Sequence, residues 1–353
     1  MKPIRVLLFL VVMASTATNA LGQGEEASAP FALVIHGGAG NVSPETVPQH
    51  RRQSYQEALE VALETGYQIL EQGGSAMDAT EAAIRQLEDH PNFNAGRGAV
   101  LNAEGQVEMD ASFMDGRTMN AGAVTGVKRT QHPVSAARAV LEHSPHVLLM
   151  GTGAELFAEE QQLQLQPNEY FITPARKARW EQLRDTTRQE LDFADTTDAD
   201  KHGTVGAVAL DRNGNLAAAT STGGMTNKWY GRIGDSPIIG AGTYAENGVV
   251  GVSCTGHGEY FMRYVVAYDL AARMKYGNAT LPHAARQLVL EQLNEVGGSG
   301  GLIAIDARGR VVMVYNSPGM FRAYRHSAGS MAVRMYGPPH DADAQPLEVF
   351  PAE

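Results

Sequence analysis

Apolar and polar positions along the chain follow two periods, one near 3.6 residues and one near two. Phe31 to Gly40, FALVIHGGAG, is an apolar run ending in glycines, which predicts a buried strand followed by a tight loop. From about Ser54 to Gln72 apolar residues recur near helical spacing (Tyr55, Leu59, Ala62, Gly66, Ile69), and Gly73-Gly74 ends the helix so predicted. Ser75-Ala-Met-Asp78 opens a second helix with a capping-box pattern, running to about Asp89. Short strands are predicted at GQVEMDASFMD and AGAVTGV, and helices at PVSAARAVLEH and GAELFAEEQQ.

Roughly Pro174 to Gly203 changes character. It is charged and loses its pattern towards the end, so a helix fading into an exposed, mobile linker is expected there. Two small-residue strands follow, TVGAVAL and LAAATST, then a glycine-rich stretch. A long helix is predicted from about Gly258 to Tyr276, a further helix over Leu281 to Val296, and a hairpin in GLIAIDARGRVVMVY. Strands fill the middle of the pattern and helices gather in blocks between them. This favours an α+β fold with antiparallel sheets covered by helices over a regular βαβ alternation.

The two small-residue strands carry the first chemical signal. Asn213-Gly214 between them is a strong hairpin turn. As a two-residue loop it pairs Arg212 with Asn215, sets Thr204 opposite Gly223 and brings Thr222 beside Thr204. Two threonines pairing across a sheet are common and need mean nothing more. A threonine hydroxyl is a weak nucleophile without a base, and the base close in sequence is His202, on the linker side. A cut between Gly203 and Thr204 changes this. The freed α-amine has a reference pKa of about 7.7 to 8.0, so a useful fraction is neutral near pH 7. Nucleophile and base then sit on one residue. Gly203, lacking a Cβ, can hold a strained conformation that opens its carbonyl to attack.

Downstream, Arg232 and Asp235 lie three apart in a glycine-flanked loop. One suits a carboxylate and the other an ammonium, the two charges on an amino acid's α-carbon; a plain surface ion pair is the alternative. At Thr255-Gly256 an apolar strand meets a helix. That junction is either an ordinary N-cap or an anion site able to stabilise a tetrahedral oxyanion.

Charge and composition narrow the partners. A net charge of −11 with no long basic block argues against nucleic acid. The lone Cys254 excludes an intrachain disulfide and a cysteine-based zinc site. Residues 1–22 combine Lys2 and Arg5 with the nine-residue apolar run Val6 to Ala14 and then small residues, the pattern of a secretory signal peptide. An exported product, periplasmic or secreted, with no membrane association after signal removal is expected.

These motifs have a common resemblance. HGTVGAVALDRNGNLAAATSTGGMTNK, GRIGDSPIIGAG, SCTGHGE and GGSGGLIAID, with IHGGAG, FNAGRGAVLN and MDASFMDG in the first half, resemble the plant-type asparaginase and isoaspartyl peptidase family of N-terminal nucleophile hydrolases. The resemblance covers roughly Phe31 to Tyr324. It implies a four-layer αββα sandwich in one domain, cleaved before Thr204 into an α subunit (23–203) and a β subunit (204–353), and a homodimer of such α/β pairs. By motif, Thr204 is the nucleophile and Thr222 its supporting hydroxyl. Arg232 binds the substrate α-carboxylate, Asp235 its α-amine, and Thr255 and Gly256 form the oxyanion hole. Asn94 lies near the nucleophile. LEDHPNFNAGR resembles the family's sodium loop, whose ligands would be backbone carbonyls of Leu87, Glu88, His90, Phe93, Ala95 and Arg97. Catalysis itself needs no cofactor.

The expected reaction is hydrolysis of β-aspartyl dipeptides and L-asparagine, releasing L-aspartate. His257 in TGHGE and the export signal resemble the glycosylasparaginase branch instead, so glycosyl-asparagine is the alternative substrate. A non-catalytic protein of this fold would be expected to lose Thr204, Arg232 or Asp235. Gly297-Gly-Ser-Gly-Gly301 fits a serine-hydrolase elbow by letter, but a helix precedes it and a strand follows, the reverse of what that elbow requires. His143-Ser-Pro-His146 lacks the glutamate and spacing of the helical zinc motif. The tail after Tyr324 matches nothing in the resemblance and is expected to have local effects only.

Overall fold

A computed structural model describes residues 29–47, 49–184, 203–337 and 345–351. The expected signal peptide, His202 and the later part of the expected linker lie outside the described residues. Among those described, no helix is long and apolar enough to cross a membrane.

Two sheets form the middle of the molecule. The larger has eight strands in the order β12-β11-β1-β5-β6-β2-β3-β4, the smaller five in the order β13-β10-β9-β8-β7. In the larger sheet, β1 (Ala32–Gly40), β5 (Val205–Leu210) and β6 (Leu216–Thr222) are central; β2 (Met109–Asp115), β3 (Ala121–Val127) and β4 (Leu148–Met150) continue to one edge, and β11 (Gly319–His326) and β12 (Met331–Tyr336) to the other. The smaller holds β7 (Thr243–Glu246), β8 (Val250–Gly256), β9 (Gly300–Asp306), β10 (Val311–Tyr315) and β13 (Leu347–Phe350).

Helices α1 (Gln49–Glu71), α2 (Ala76–Asp89) and α3 (Pro133–His143) cover the outer face of the large sheet, with α4 (Gly151–Glu160) beside its β3–β4 edge. The outer face of the small sheet is covered by α7 (Val266–Lys275) and α8, which runs from Leu281 to Glu295 with one wide turn between Arg286 and Gln292. Helix, sheet, sheet, helix is the αββα sandwich that the resemblance implied.

Strand periodicity explains the layering. On β5, Val205, Ala207 and Ala209 pack in the core under the helices, while Val208 and Leu210 face the second sheet. On β6, Ala217 and Ala219 take the first role and Leu216 and Ala218 the second. Strands buried on both faces read as unbroken small or apolar runs. Small residues also set the sheet spacing: a Cβ at Gly251 of β8 would lie 2.6 Å from Val208 Cγ1.

Several local expectations agree with the fold. α2 begins at Ser75, whose Oγ accepts from Asp78 N at 3.1 Å, and α3 and β3 keep their expected bounds. Others are corrected. The glycines of IHGGAG belong to β1 itself, with a bulge between His36 and Gly38, not to a loop after it. α1 starts at Gln49 rather than near Ser54. The expected helix Gly258 to Tyr276 is two helices, α6 (Gly258–Arg263) and α7, broken where Val265 takes φ 50°. The cause is tertiary. The first amides of α7 are drawn to the neighbouring loop, Ala267 N donating to Ala241 O at 3.2 Å and Tyr268 N to Gly240 O at 2.8 Å.

The helix expected at the start of the linker segment is present, largely exposed but anchored through one side chain. α5 (Pro174–Leu183) is capped by Thr173, and its buried Arg176 donates from Nε to Gly98 O at 2.7 Å. The tail after Tyr324 is more than local. β12 completes one edge of the large sheet, and β13 pairs with β10 at the edge of the small one.

Candidate active site

The β5–β6 hairpin sets the site, with a register one residue away from the expected one. Leu210 pairs with Leu216 and Val205 with Ser221. The loop is three residues, Arg212-Asn213-Gly214, closed by Asp211 N donating to Asn215 O at 3.0 Å, with Gly214 at φ 76°. Asp211 imposes it: its Oδ1 accepts from Asn213 N at 2.9 Å and Asn215 N at 3.0 Å. A one-residue shift changes which face each side chain occupies. In the observed register Thr204 falls opposite Thr222, not Gly223, and the two Oγ1 atoms lie 3.0 Å apart. Thr222 is buried and its Oγ1 also accepts from Gly224 N at 3.0 Å; Thr204 is half-buried.

On the other side of Thr204 the Gly203 carbonyl accepts from Asn94 N at 3.1 Å. Gly203 has φ 154°, and a Cβ there would lie 2.6 Å from Asn94 Cβ and 2.7 Å from Asn94 N. Only glycine fits. Asn94 is a hub in its own right: Nδ2 donates to Gly224 O at 2.7 Å, Oδ1 accepts from Val100 N at 2.9 Å, and its main-chain O accepts from Gly223 N at 2.9 Å. It therefore ties the Gly203-Thr204 peptide to the turn that follows Thr222.

The same turn reaches the charged residues. A Cβ at Gly224 would stand 3.6 Å from Arg232 Nη1, and one at Gly258 would stand 2.7 Å from Arg232 Nη2 and 3.0 Å from Asp235 Oδ1. Glycines thus clear the space around the guanidinium. Sequence reasoning did not single out Glu259, yet its carboxylate takes the Nε–Nη2 edge of Arg232 through two bonds of 2.9 Å. The Nη1 side is turned towards Gly224 and Gly234. Glu259 lies inside SCTGHGE, four residues after Thr255, so the motif held it without showing its partner. Asp235 is buried, and its Oδ2 has no hydrogen-bond partner among the described residues. Burial pushes its carboxyl up from 3.8 to about 7, against the pull of Arg232.

Thr255 is buried, and its Oγ1 accepts from Ala39 N at 3.3 Å, which leaves its own hydrogen for another acceptor. Gly256 is exposed at φ 148°, where a Cβ would meet Ser299 O at 2.4 Å. The Gly37–Ala39 segment joins this corner to the nucleophile, since a Cβ at Gly38 would lie 2.5 Å from Gly203 Cα. Thr204, Thr222, Asn94, Arg232, Asp235 and Thr255 therefore share one neighbourhood.

A second buried charge lies beside it. Asp110, opposite Thr222 across β2–β6, is 3.9 Å from Lys228 Nζ, which donates to Glu108 O at 2.8 Å. Burial pushes Asp110 up and Lys228 down.

The rivals find no support in the geometry. Gly297–Gly301 runs from a helix end into β9, and His143 closes α3. Among the described residues no group of three or more His, Cys, Asp or Glu could hold a metal. The 87–97 loop offers main-chain oxygens instead. Gly96 (φ 50°) and Gly98 (φ 112°) let it fold tightly, and a Cβ there would lie 2.3 Å from Glu88 O and 2.8 Å from Phe93 O respectively. Glu88 O also accepts from Arg97 N at 2.7 Å. The Glu88 side chain points elsewhere: Oε1 accepts from Val134 N and from Ser221 Oγ at 2.6 Å, and burial pushes its carboxyl up to about 7.

The asparaginase family model, Asparaginase_2, matches residues 29–335. The isoaspartyl peptidase of Salmonella typhimurium is 49% identical over 306 residues, which cover 86% of this chain and 98% of that protein. That of Escherichia coli is 48% identical over 309 residues, covering 86% and 95%. A probable isoaspartyl peptidase/L-asparaginase of Arabidopsis thaliana is 40% identical over 326 residues, covering 87% and 99%. By this match over most of its length, the chain belongs to the asparaginase family.

Proposed function

We propose that the chain is an amidohydrolase that cleaves itself between Gly203 and Thr204 and then, with Thr204 as nucleophile, releases L-aspartate from β-aspartyl dipeptides and from L-asparagine. The observation that carries this reading is the junction itself: a carbonyl held by an amide at 3.1 Å, next to a threonine whose Oγ1 is 3.0 Å from a second hydroxyl.

In the self-cleavage step Thr204 Oγ adds to the Gly203 carbonyl carbon. The C–O bond forms, the C–N bond breaks, and the hydroxyl proton ends on the departing amine. Asn94 N–H stands where it can share the charge on the carbonyl oxygen. Water then hydrolyses the ester, leaving a carboxylate on Gly203 and a free α-amine on Thr204. In turnover that amine takes the Oγ proton while Oγ attacks the β-carbonyl of the substrate, and it passes the proton to the departing nitrogen as the C–N bond breaks; water then hydrolyses the β-aspartyl ester, releasing aspartate and restoring the Thr204 hydroxyl. The Thr255 hydroxyl and Gly256 receive the oxyanion. Arg232, aligned by Glu259, takes the α-carboxylate on its remaining edge, and Asp235 takes the α-ammonium. An unpaired buried carboxylate oxygen suits that role, because an ammonium supplies both the missing hydrogen bond and the missing charge.

The main-chain oxygens of Leu87, Glu88, His90, Phe93, Ala95 and Arg97 would hold a sodium ion that stiffens the loop carrying Asn94. Neutral carbonyl oxygens suit a hard monovalent cation. The working unit is a homodimer of α/β pairs, and residues 1–22 direct its export.

Thr204→Ala tests the reading. The variant is expected to stay a single chain on denaturing electrophoresis and to hydrolyse nothing; hydrolysis by uncut T204A protein would contradict it. Rates with asparagine, a β-aspartyl dipeptide and a glycosylated asparagine, measured side by side, assign the leaving group.

A further inference from the structure

A line of polar side chains runs through the otherwise largely apolar layer between the two sheets. His36, Ser112, Thr220, Thr243 and Ser253 are all fully buried, and they come from five different strands. They form one continuous chain. Ser112 Oγ lies 2.7 Å from Thr243 Oγ1, Thr243 Oγ1 2.6 Å from Thr220 Oγ1, and Thr220 Oγ1 2.7 Å from Ser253 Oγ. Ser253 Oγ lies 2.9 Å from His36 Nε2, and His36 Nδ1 lies 2.9 Å from the main-chain oxygen of Thr204.

The direction of the protons follows from elementary valence. A carbonyl only accepts, so His36 Nδ1 carries its hydrogen and donates to Thr204 O. Full burial disfavours the imidazolium. Nε2 of the neutral ring is then an acceptor, and Ser253 must donate to it. With its single hydrogen committed, Ser253 accepts from Thr220, Thr220 from Thr243, and Thr243 from Ser112. Thr220 and Ser112 also lie 3.1 and 2.6 Å from the carbonyls of Gly242 and Ser236, which share their hydrogens. The Thr204 carbonyl thus selects the tautomer with hydrogen on Nδ1, and the hydroxyl line is oriented to match it, Ser253 donating to Nε2.

Two further observations show that the arrangement is built. The β1–β5 ladder ends at His36 and Gly206, so the Thr204 carbonyl accepts from an imidazole beyond the last strand pair. Gly206 lies directly beneath: a Cβ there would be 2.0 Å from Ser253 Oγ and 2.4 Å from His36 Nε2.

We propose that His36 is a positioning residue for the nucleophile: its Nδ1–H holds the Thr204 carbonyl, and Ser253 with Thr220 supports the ring in the tautomer that can do so. The inference rests on the reading of Thr204 given above. The carbonyl, the α-amine and the side chain of Thr204 share one Cα, so pinning the carbonyl aims both Oγ1 and the amine. Misplacement of a reacting atom by about 1 Å costs on the order of 100-fold in rate. Arg232 and Asp235 make no hydrogen bond to the line among the described residues, so the loss is expected in kcat rather than in KM.

The test uses the full-length protein with Ser253→Ala, His36→Asn and His36→Leu. Self-cleavage is followed on gels, and kcat and KM for a β-aspartyl dipeptide are measured on the cleaved material. H36L is expected to lose about 100-fold in kcat with KM within about threefold. H36N restores an N–H near the Nδ1 position and should recover about tenfold of that loss. S253A removes one hydroxyl, and it should slow both cleavage and kcat by about tenfold, again at constant KM. If H36L does not fold or cleave, S253A decides alone. S253A cleaving and turning over like the parent, or H36N and H36L falling equally in step with their melting temperatures, overturns the proposal. T204A separates the two ideas. An active T204A protein removes the reading and the inference together, whereas an inert T204A protein beside an unaffected S253A protein removes only the inference.

Discussion

Replacing Asp235 by asparagine should stabilise this protein while disabling it, and the stabilisation should depend on pH. The carboxyl is 4% exposed, with one oxygen unpartnered among the described residues, and burial raises it from 3.8 to about 7. Below pH 3.8 it is protonated in both the folded and the unfolded chain, and nothing is lost. Between 3.8 and about 7 the unfolded chain releases the proton while the folded chain keeps it, so stability falls as pH rises. Above about 7 the loss is complete and constant. At about 1.4 kcal/mol per pH unit, the interval corresponds to about 4 kcal/mol. D235N removes that loss, so it should unfold at higher denaturant than the parent at pH 8, with the gain shrinking towards zero near pH 4. In the proposed role the same carboxyl must be ionised to take an ammonium, so kcat/KM of the parent should fall as pH drops below about 7. Aspartate should protect the parent against unfolding but not D235N. A stability difference that is flat with pH, or a D235N protein less stable than the parent at pH 8, would refute the reasoning.

Four other perturbations follow from the geometry. Glu259→Ala frees Arg232 to wander, and KM for a β-aspartyl dipeptide should rise about tenfold with kcat changed less than threefold, in steady-state kinetics. Gly203→Ala places a Cβ 2.6 Å from Asn94 Cβ at a φ of 154°; the chain should remain uncut on gels for hours after purification. Glu348→Ala strips the partner from Arg322, which is fully buried beside Tyr315. That should cost about 3–5 kcal/mol in denaturant unfolding, and adding Arg322→Met should recover most of it. Exchanging sodium for a larger monovalent cation should lower the melting temperature by a few degrees if the 87–97 carbonyls hold the ion, with no change when a divalent chelator is added.

Local signals in the chain were legible where their causes are local. Ser75 with Asp78, and Pro133 at the start of α3, mark helix ends from within a few residues. The break at Val265 was hidden because it is made by carbonyls of Gly240 and Ala241, from another part of the fold. The hairpin turn was read from Asn213-Gly214, but Asp211 moved its register by one through its side chain. The short edge strands β4 and β13 are too brief to carry a period. At the site, Thr204, Thr222, Arg232, Asp235 and Thr255 stood out because their chemistry is in their side chains. Asn94 meets Gly203 through its main-chain amide, which every residue but proline possesses. His36 and its four hydroxyl partners are spread from residue 36 to residue 253, and only the packing of two sheets assembles them.

In the proposed mechanism everything at the site depends on Thr204 becoming a chain terminus. Intact-mass measurement of fully active enzyme, with sequencing of the new N-terminus, examines this directly. The account predicts two chains, the second beginning Thr-Val-Gly. Full activity in protein whose 203–204 peptide bond is unbroken would contradict it.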